Sequence, residues 1–166
     1  MLDLRKNYKL SGVLSRVFFV VTFMFANWQQ GLAATVIATG QSNFWLALAV
    51  VMVTGVAGAL LVPIIVSFAL SLARIYSVPV GEYGILAVSF FGLGYLLRGL
   101  LNIVNFFTPV MLVWGGVIFP FIATLVASVG FYAVTSKLYF NDLTRPYYFR
   151  VCVLVFFVAV LIMEVL

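Results

Sequence analysis

The sequence predicts an all-α integral membrane protein, a bundle of about five transmembrane helices with its N-terminus inside and its C-terminus outside. Three observations predict it. Of 166 residues, 66% are hydrophobic and 8% are charged, against about 25% charged residues in a soluble domain. The apolar residues form runs of about twenty or more, the length a helix needs to cross a bilayer core of about 30 Å, and do not alternate as barrel strands do. The basic residues gather at one set of run ends, the pattern by which cytoplasmic loops retain Lys and Arg.

The first predicted span covers 13–38, behind Arg5, Lys6 and Lys9 and with Arg16 just inside it. A second description fits this segment: basic leader, apolar core from Val17 to Ala26 and small residues at Gly31 and Ala33 are also the marks of a cleavable signal peptide. Asn27, Gln29 and Gln30 are amides at membrane depth, expected to join helices by hydrogen bonds. The second span, 44–74, exceeds the core thickness and is expected to tilt, bend at Pro63 or pass the interface. The third covers 84–107, the fourth 109–136 with Pro120 inside it, and the fifth 148–166. Connections between them are short and leave no room for a soluble domain.

Arg74 follows the second span, and Lys137, Arg145 and Arg150 flank the loop before the fifth. These fall on the same side as the N-terminal cluster, while the turns around Gln41 and Thr108 are uncharged. The net charge of +5 is therefore topological and gives no reason to expect a nucleic-acid partner. Tyrosines collect near the predicted inner surface and Trp45 and Trp114 near the outer one, an aromatic belt. A bacterial inner membrane or an organelle membrane is the expected location.

Because lipid gives helices no hydrophobic reason to associate, close packing depends on small residues. The second span offers Gly55, Gly58 and Ala59, and the fourth offers Gly116, Ala123, Ala127 and Gly130.

One charge interrupts the apolar pattern. Arg98 stands inside the third span, where an ionisable group costs at least about 2.5–3.5 kcal/mol and must meet a partner, a cavity or a functional path. Tyr95, Arg98, Asn102 and Asn105 are spaced i, i+3, i+7 and i+10, so they share one helical face. Phe91 and Gly94 continue that face inward, where its polarity fades. The acids are Asp3, Glu82, Asp142 and Glu164, and the first three belong to the inner surface. Counted along the helices, Arg98 lies ~22 Å from the boundary at Tyr83 and Glu164 ~24 Å from the one at Tyr148. An Arg98–Glu164 ion pair, with Asn102 filling remaining hydrogen-bond positions, is the expected arrangement; the alternative is that Arg98 snorkels outward along the asparagines while Glu164 sits among headgroups.

Histidine is absent and Cys152 is the single cysteine, so neither a metal site nor an intrachain disulfide is expected. No catalytic residue, metal site or cofactor site is expected, since no paired acid and base, nucleophile motif or phosphate loop is present. The expected role is a non-catalytic membrane subunit that scaffolds, anchors or assembles a larger complex. Its expected partners are the lipid bilayer and other membrane subunits or a second copy of the chain. A small transporter or channel component with a polar path around Arg98 is the alternative.

Overall fold

The computed structural model describes residues 8–72, 74, 79–107 and 112–139, and these form four α-helices: α1 (Tyr8–Thr39), α2 (Phe44–Leu72), α3 (Val80–Phe107) and α4 (Leu112–Tyr139). All four are long and apolar enough to cross a membrane. The predicted fifth span at 148–166 lies outside the described residues.

The start of α2 at Phe44 and the end of α3 at Phe107 match the predicted boundaries, and several other ends depart from theirs for local reasons. α1 begins at Tyr8 and not at 13, because a helix continues past the bilayer surface wherever its residues permit. It closes at Gly40, whose amide donates to the Val36 carbonyl at 2.9 Å with φ at 72°, the left-handed C-cap that a Cβ disfavours. Nothing lies within 4 Å of a Cβ added there. Gly40→Ala is therefore expected to destabilise by about 1 kcal/mol through backbone strain alone, with Gly40→Asn milder, as thermal unfolding in detergent would show.

Asn43 starts α2 by accepting the Leu46 amide on Oδ1 at 3.1 Å, and its own amide donates to Thr35 Oγ1 at 3.2 Å. The helix stops at Leu72, short of the predicted 74, with Arg74 in the left-handed region at φ 55° and its amide bonded to the Ser71 carbonyl. α3 starts at Val80, four residues before the predicted 84. The Tyr83 amide donates to the Pro79 carbonyl, and Glu82 in the first turn complements the helix dipole. α4 is described from Leu112, the predicted start at 109 lying outside the described residues, and runs to Tyr139, past the predicted 136, with Lys137 favourably placed in its last turn. Both α2 and α4 continue through their prolines as single helices.

Several hydroxyls inside the bundle are returned to their own helices, while the buried Ser128 Oγ of α4 has no hydrogen-bond partner among the described residues. Thr22 donates to the Phe18 carbonyl at 2.9 Å, Ser67 to Pro63 at 2.6 Å and Thr124 to Pro120 at 2.7 Å. Such back-bonds meet the demand for internal satisfaction that a lipid solvent imposes. Ser67 and Thr124 stand four residues after the prolines and engage the proline carbonyls.

Contact positions give the topology. A Cβ on Gly12 would meet Ile85, one on Gly92 would meet Phe18 and Phe19, and one on Gly99 would meet Phe25. The two series rise together, so α1 and α3 are parallel. Gly31 faces Val51, Gly55 faces Phe23 and Gly58 faces Phe19, so α2 runs antiparallel to α1. Gly94 faces Ala127 and Gly130 faces Phe90, making α4 antiparallel to α3. The helices alternate up and down, with α3 touching α1, α2 and α4, and α4 resting on α3 alone among the described helices.

Of the expected grooves, Gly55, Gly58, Ala59, Ala123, Ala127 and Gly130 all lie at helix contacts, while the surroundings of Gly116 lie outside what the structure describes. What the spacing argument missed is α3 itself, whose Gly84, Gly92, Gly94 and Gly99 each admit a neighbouring helix. Several of these glycines receive a phenylalanine from a neighbouring helix, and Phe19 and Phe23, placed in this way, join Tyr83, Val88, Phe91, Tyr95 and Phe131 in one core cluster.

Candidate functional site

The centre of interest is the α1–α3 seam, where the structure places Tyr95, Arg98 and Asn102. Arg98 is only 4% exposed and Tyr95 only 3%, so the guanidinium is enclosed by protein and does not stand toward lipid. Arg98 is close enough to interact electrostatically with the Tyr95 phenol. The Tyr95 ring is edge-on to Phe19 at 5.3 Å and to Phe23 at 4.8 Å between centroids, so α1 supplies an aromatic floor beneath the arginine. The predicted fading of polarity inward is thus a packed aromatic cluster.

Asn102, half-buried one turn further out, crosses the seam. Its Nδ2 donates to the Ala26 carbonyl of α1 at 3.1 Å. The sequence placed Asn102 beside an ion pair at Arg98; this bond to the α1 backbone through Nδ2 is a contact that the sequence did not announce. The Ala26 carbonyl is a ready second acceptor site because a helix carbonyl retains a lone pair after its own intrahelical bond. Replacing Asn102 with leucine is expected to cost about 0.6–2 kcal/mol and to loosen the outer half of the seam, read out as a lower unfolding temperature in detergent.

The amides of α1 act differently from expectation. Asn27 is buried, but its Nδ2 donates within its own helix to the Phe23 carbonyl at 3.0 Å. Gln29 and Gln30 are exposed. The cross-helix bond observed at this level comes from Asn102 instead, because a side chain one turn above Arg98 on α3 faces the α1 backbone directly.

Outside Asn102 lies a cleft of about 630 Å³ between α1, α3 and the start of α2. Phe25, Trp28, Phe44 and Ile103 form its apolar walls, and Gln29 and Asn102 bring amides to it. Trp28 and Phe44 meet edge-on at 5.2 Å, closing one wall. Gly99 is the residue that sequence reasoning overlooked: it lets the Phe25 ring lie against α3 beside Arg98. Its signal was its place directly after the arginine, seven residues from Gly92 on one face.

Asn105 lies in the last turn of α3, but its side chain, like all of Glu164, is outside the described residues, so the expected Arg98–Glu164 pair is outside them too. Among the described residues no group of three His, Cys, Asp or Glu side chains comes together. Comparison of the chain with protein-family models, with curated proteins and with solved structures finds no match.

Proposed function

We propose that this chain is a non-catalytic subunit of a membrane complex, a multi-pass helical unit that scaffolds or anchors larger partners. The observation that supports this most is the closed floor under Arg98. A conducting path needs polar or wet lining on both sides of its central charge, whereas Tyr95, Phe19 and Phe23 fill the inner side with interlocked rings. A buried charge enclosed in this way behaves as a structural lock between helices. The gathering of Arg16, Arg74 and Lys137 at one end of the bundle supports an N-terminus on the cytoplasmic or matrix-like side. The burial of Phe19, Phe23 and Ala26 of α1 in the shared core supports a first span retained in the mature protein.

The second reading, a transport component, draws on the cleft with its two amides outside Arg98. Purification from the native membrane in mild detergent separates the two. A larger protein recovered in fixed stoichiometry supports the subunit reading; a homo-oligomer whose Arg98 is reached by water-soluble probes from both membrane sides overturns it in favour of transport.

A further inference from the structure

α4 is enclosed over more of its circumference than α3 can reach. Ala123 and Ala127 turn toward Gly94 of α3, and Gly130 turns toward Phe90. Thr124 and Ser128 each follow one of these alanines by a single residue, so they stand about 100° further round the helix, and Thr135 continues their line at i+7 from Ser128. Thr124 and Thr135 are nevertheless 0% exposed, and the Ser128 hydroxyl is buried as well. Ser136 is about two and a half turns from Ala127 and so lies on the opposite side of the helix, and both residues are buried. A single neighbouring helix does not bury opposite sides of α4.

Neither α1 nor α2 provides the second cover, because α4 rests on α3 alone among the described helices. The stretch from Thr124 to Thr135 is about 16 Å long, so the cover must follow α4 for several turns. Outside the four helices, only the chain after Tyr139 is long and apolar enough, since it contains the predicted span 148–166 while 1–7, 73–79 and 108–111 are short connections or ends. The cover also lies on the side where Arg98 stands. Viewed from the C-terminal end of α3, residues of α3 advance anticlockwise and those of antiparallel α4 advance clockwise. The step from Gly94 to Arg98 and the step from Ala123 to Thr124 therefore turn to the same side of the plane through the two helices.

Small residues set the register, because they let helix backbones approach in lipid. Within 148–166 every side chain is of valine size or larger except Cys152 and Ala159, which are spaced i, i+7 and share one face. Ser128 and Thr135 have the same spacing on α4. Cys152 follows Tyr148 by as many residues as Thr135 precedes Tyr139, and the same equality holds for Ala159 and Ser128. A span that returns antiparallel from the level of Tyr139 thus meets Thr135 with Cys152 about 6 Å in and Ser128 with Ala159 about 16 Å in.

We propose that the face of α4 carrying Thr124, Ser128 and Thr135 is the docking surface for residues 148–166 of the same chain, packed antiparallel with Ala159 on Ser128 and Cys152 on Thr135. The test is disulfide trapping of the full chain in membranes, with Cys152→Ser, Ser128→Cys and Ala159→Cys. A protease site between Asn141 and Asp142 lets a bridge be read as two fragments that stay together. Bridging needs Cβ atoms about 4 Å apart, so this pair is expected to bridge roughly fivefold or more above a control that joins Val129→Cys to Ala159→Cys. Val129 is exposed, on the far side of α4 from the docking face. Equal bridging of the two pairs, or no bridging in a chain that folds, would overturn the docking. Bridges formed only between copies, seen as a product of twice the mass, would overturn it in favour of a dimer face. If Ser128→Cys does not fold, Thr135→Cys is trapped against the natural Cys152 and compared with the exposed position Ala133→Cys, with the same outcomes deciding.

Discussion

Arg98→Ala is expected to lower the stability of the bundle by about 3–5 kcal/mol, the cost of leaving a buried charge partner uncompensated. The side chain is enclosed at 4% exposure, so its removal also opens a cavity on the α1–α3 seam next to Tyr95. The informative form of the experiment is a double-mutant cycle with Glu164→Ala, measured as reversible unfolding in detergent. If the proposed Arg98–Glu164 pair exists, the double variant loses less than the sum of the single losses, because the second removal takes away a group already orphaned by the first. Strict additivity would sink the pair. Arg98→Lys extends the test, since a lysine keeps the charge but loses the planar fork, and a paired arginine should not be fully replaced by it.

The second large effect is expected at Gly94, where α3 packs against the backbone of α4. A Cβ there would lie 3.1 Å from the Ala127 Cβ and 3.3 Å from the Ala123 carbonyl oxygen. A backbone oxygen cannot rotate aside as a side chain can, so Gly94→Val must push the helices apart. The expected cost is about 1–3 kcal/mol, as for other overpacked interiors, and it falls on α4 because that helix rests on α3 alone among the described helices. Limited proteolysis should therefore release α4 fragments from the variant before α1 or α2 is cut. Gly12→Ala serves as the control: its added methyl would sit 3.6 Å from the Ile85 Cδ1, an ordinary contact, so stability within about 0.5 kcal/mol of wild type is expected. A fall as large as that of Gly94→Val would show that generic helix effects, and not the close approach, are responsible.

The polar face of α3 was legible because helical periodicity is a property of neighbouring residues in one chain segment. Spacing alone places Tyr95, Arg98 and Asn102 on one side of a helix, and the cost of a charge in lipid turns that side inward. The identity of the facing surface was not legible. Nothing in the order of α1 announces that Phe19 and Phe23 meet Tyr95, or that the Ala26 carbonyl receives Asn102. Asn27, expected together with Gln29 and Gln30 to join helices, is directed by its register on α1 back to the Phe23 carbonyl. The grooves at Gly55 and Gly58 were readable from small-residue spacing, whereas Gly92 and Gly99 stand among larger residues and become visible only when Phe18 and Phe25 lie over them.

The amino-acid sequence by itself determined the class of this protein: with 66% hydrophobic residues in long runs, solvation by lipid and backbone satisfaction within helices follow from composition and local pattern. It also determined that Arg98 must be shielded, since the cost of exposing it to hydrocarbon does not depend on the fold. Only the tertiary structure decided which helices are neighbours, that α1 and α3 run parallel with α3 touching the other three described helices, and that the inner side of the arginine is closed by aromatic rings. The physical reason is that helix association in lipid is governed by steric fit between distant segments, a glycine on one and a phenylalanine on another, and that fit exists only once both surfaces are brought together in space.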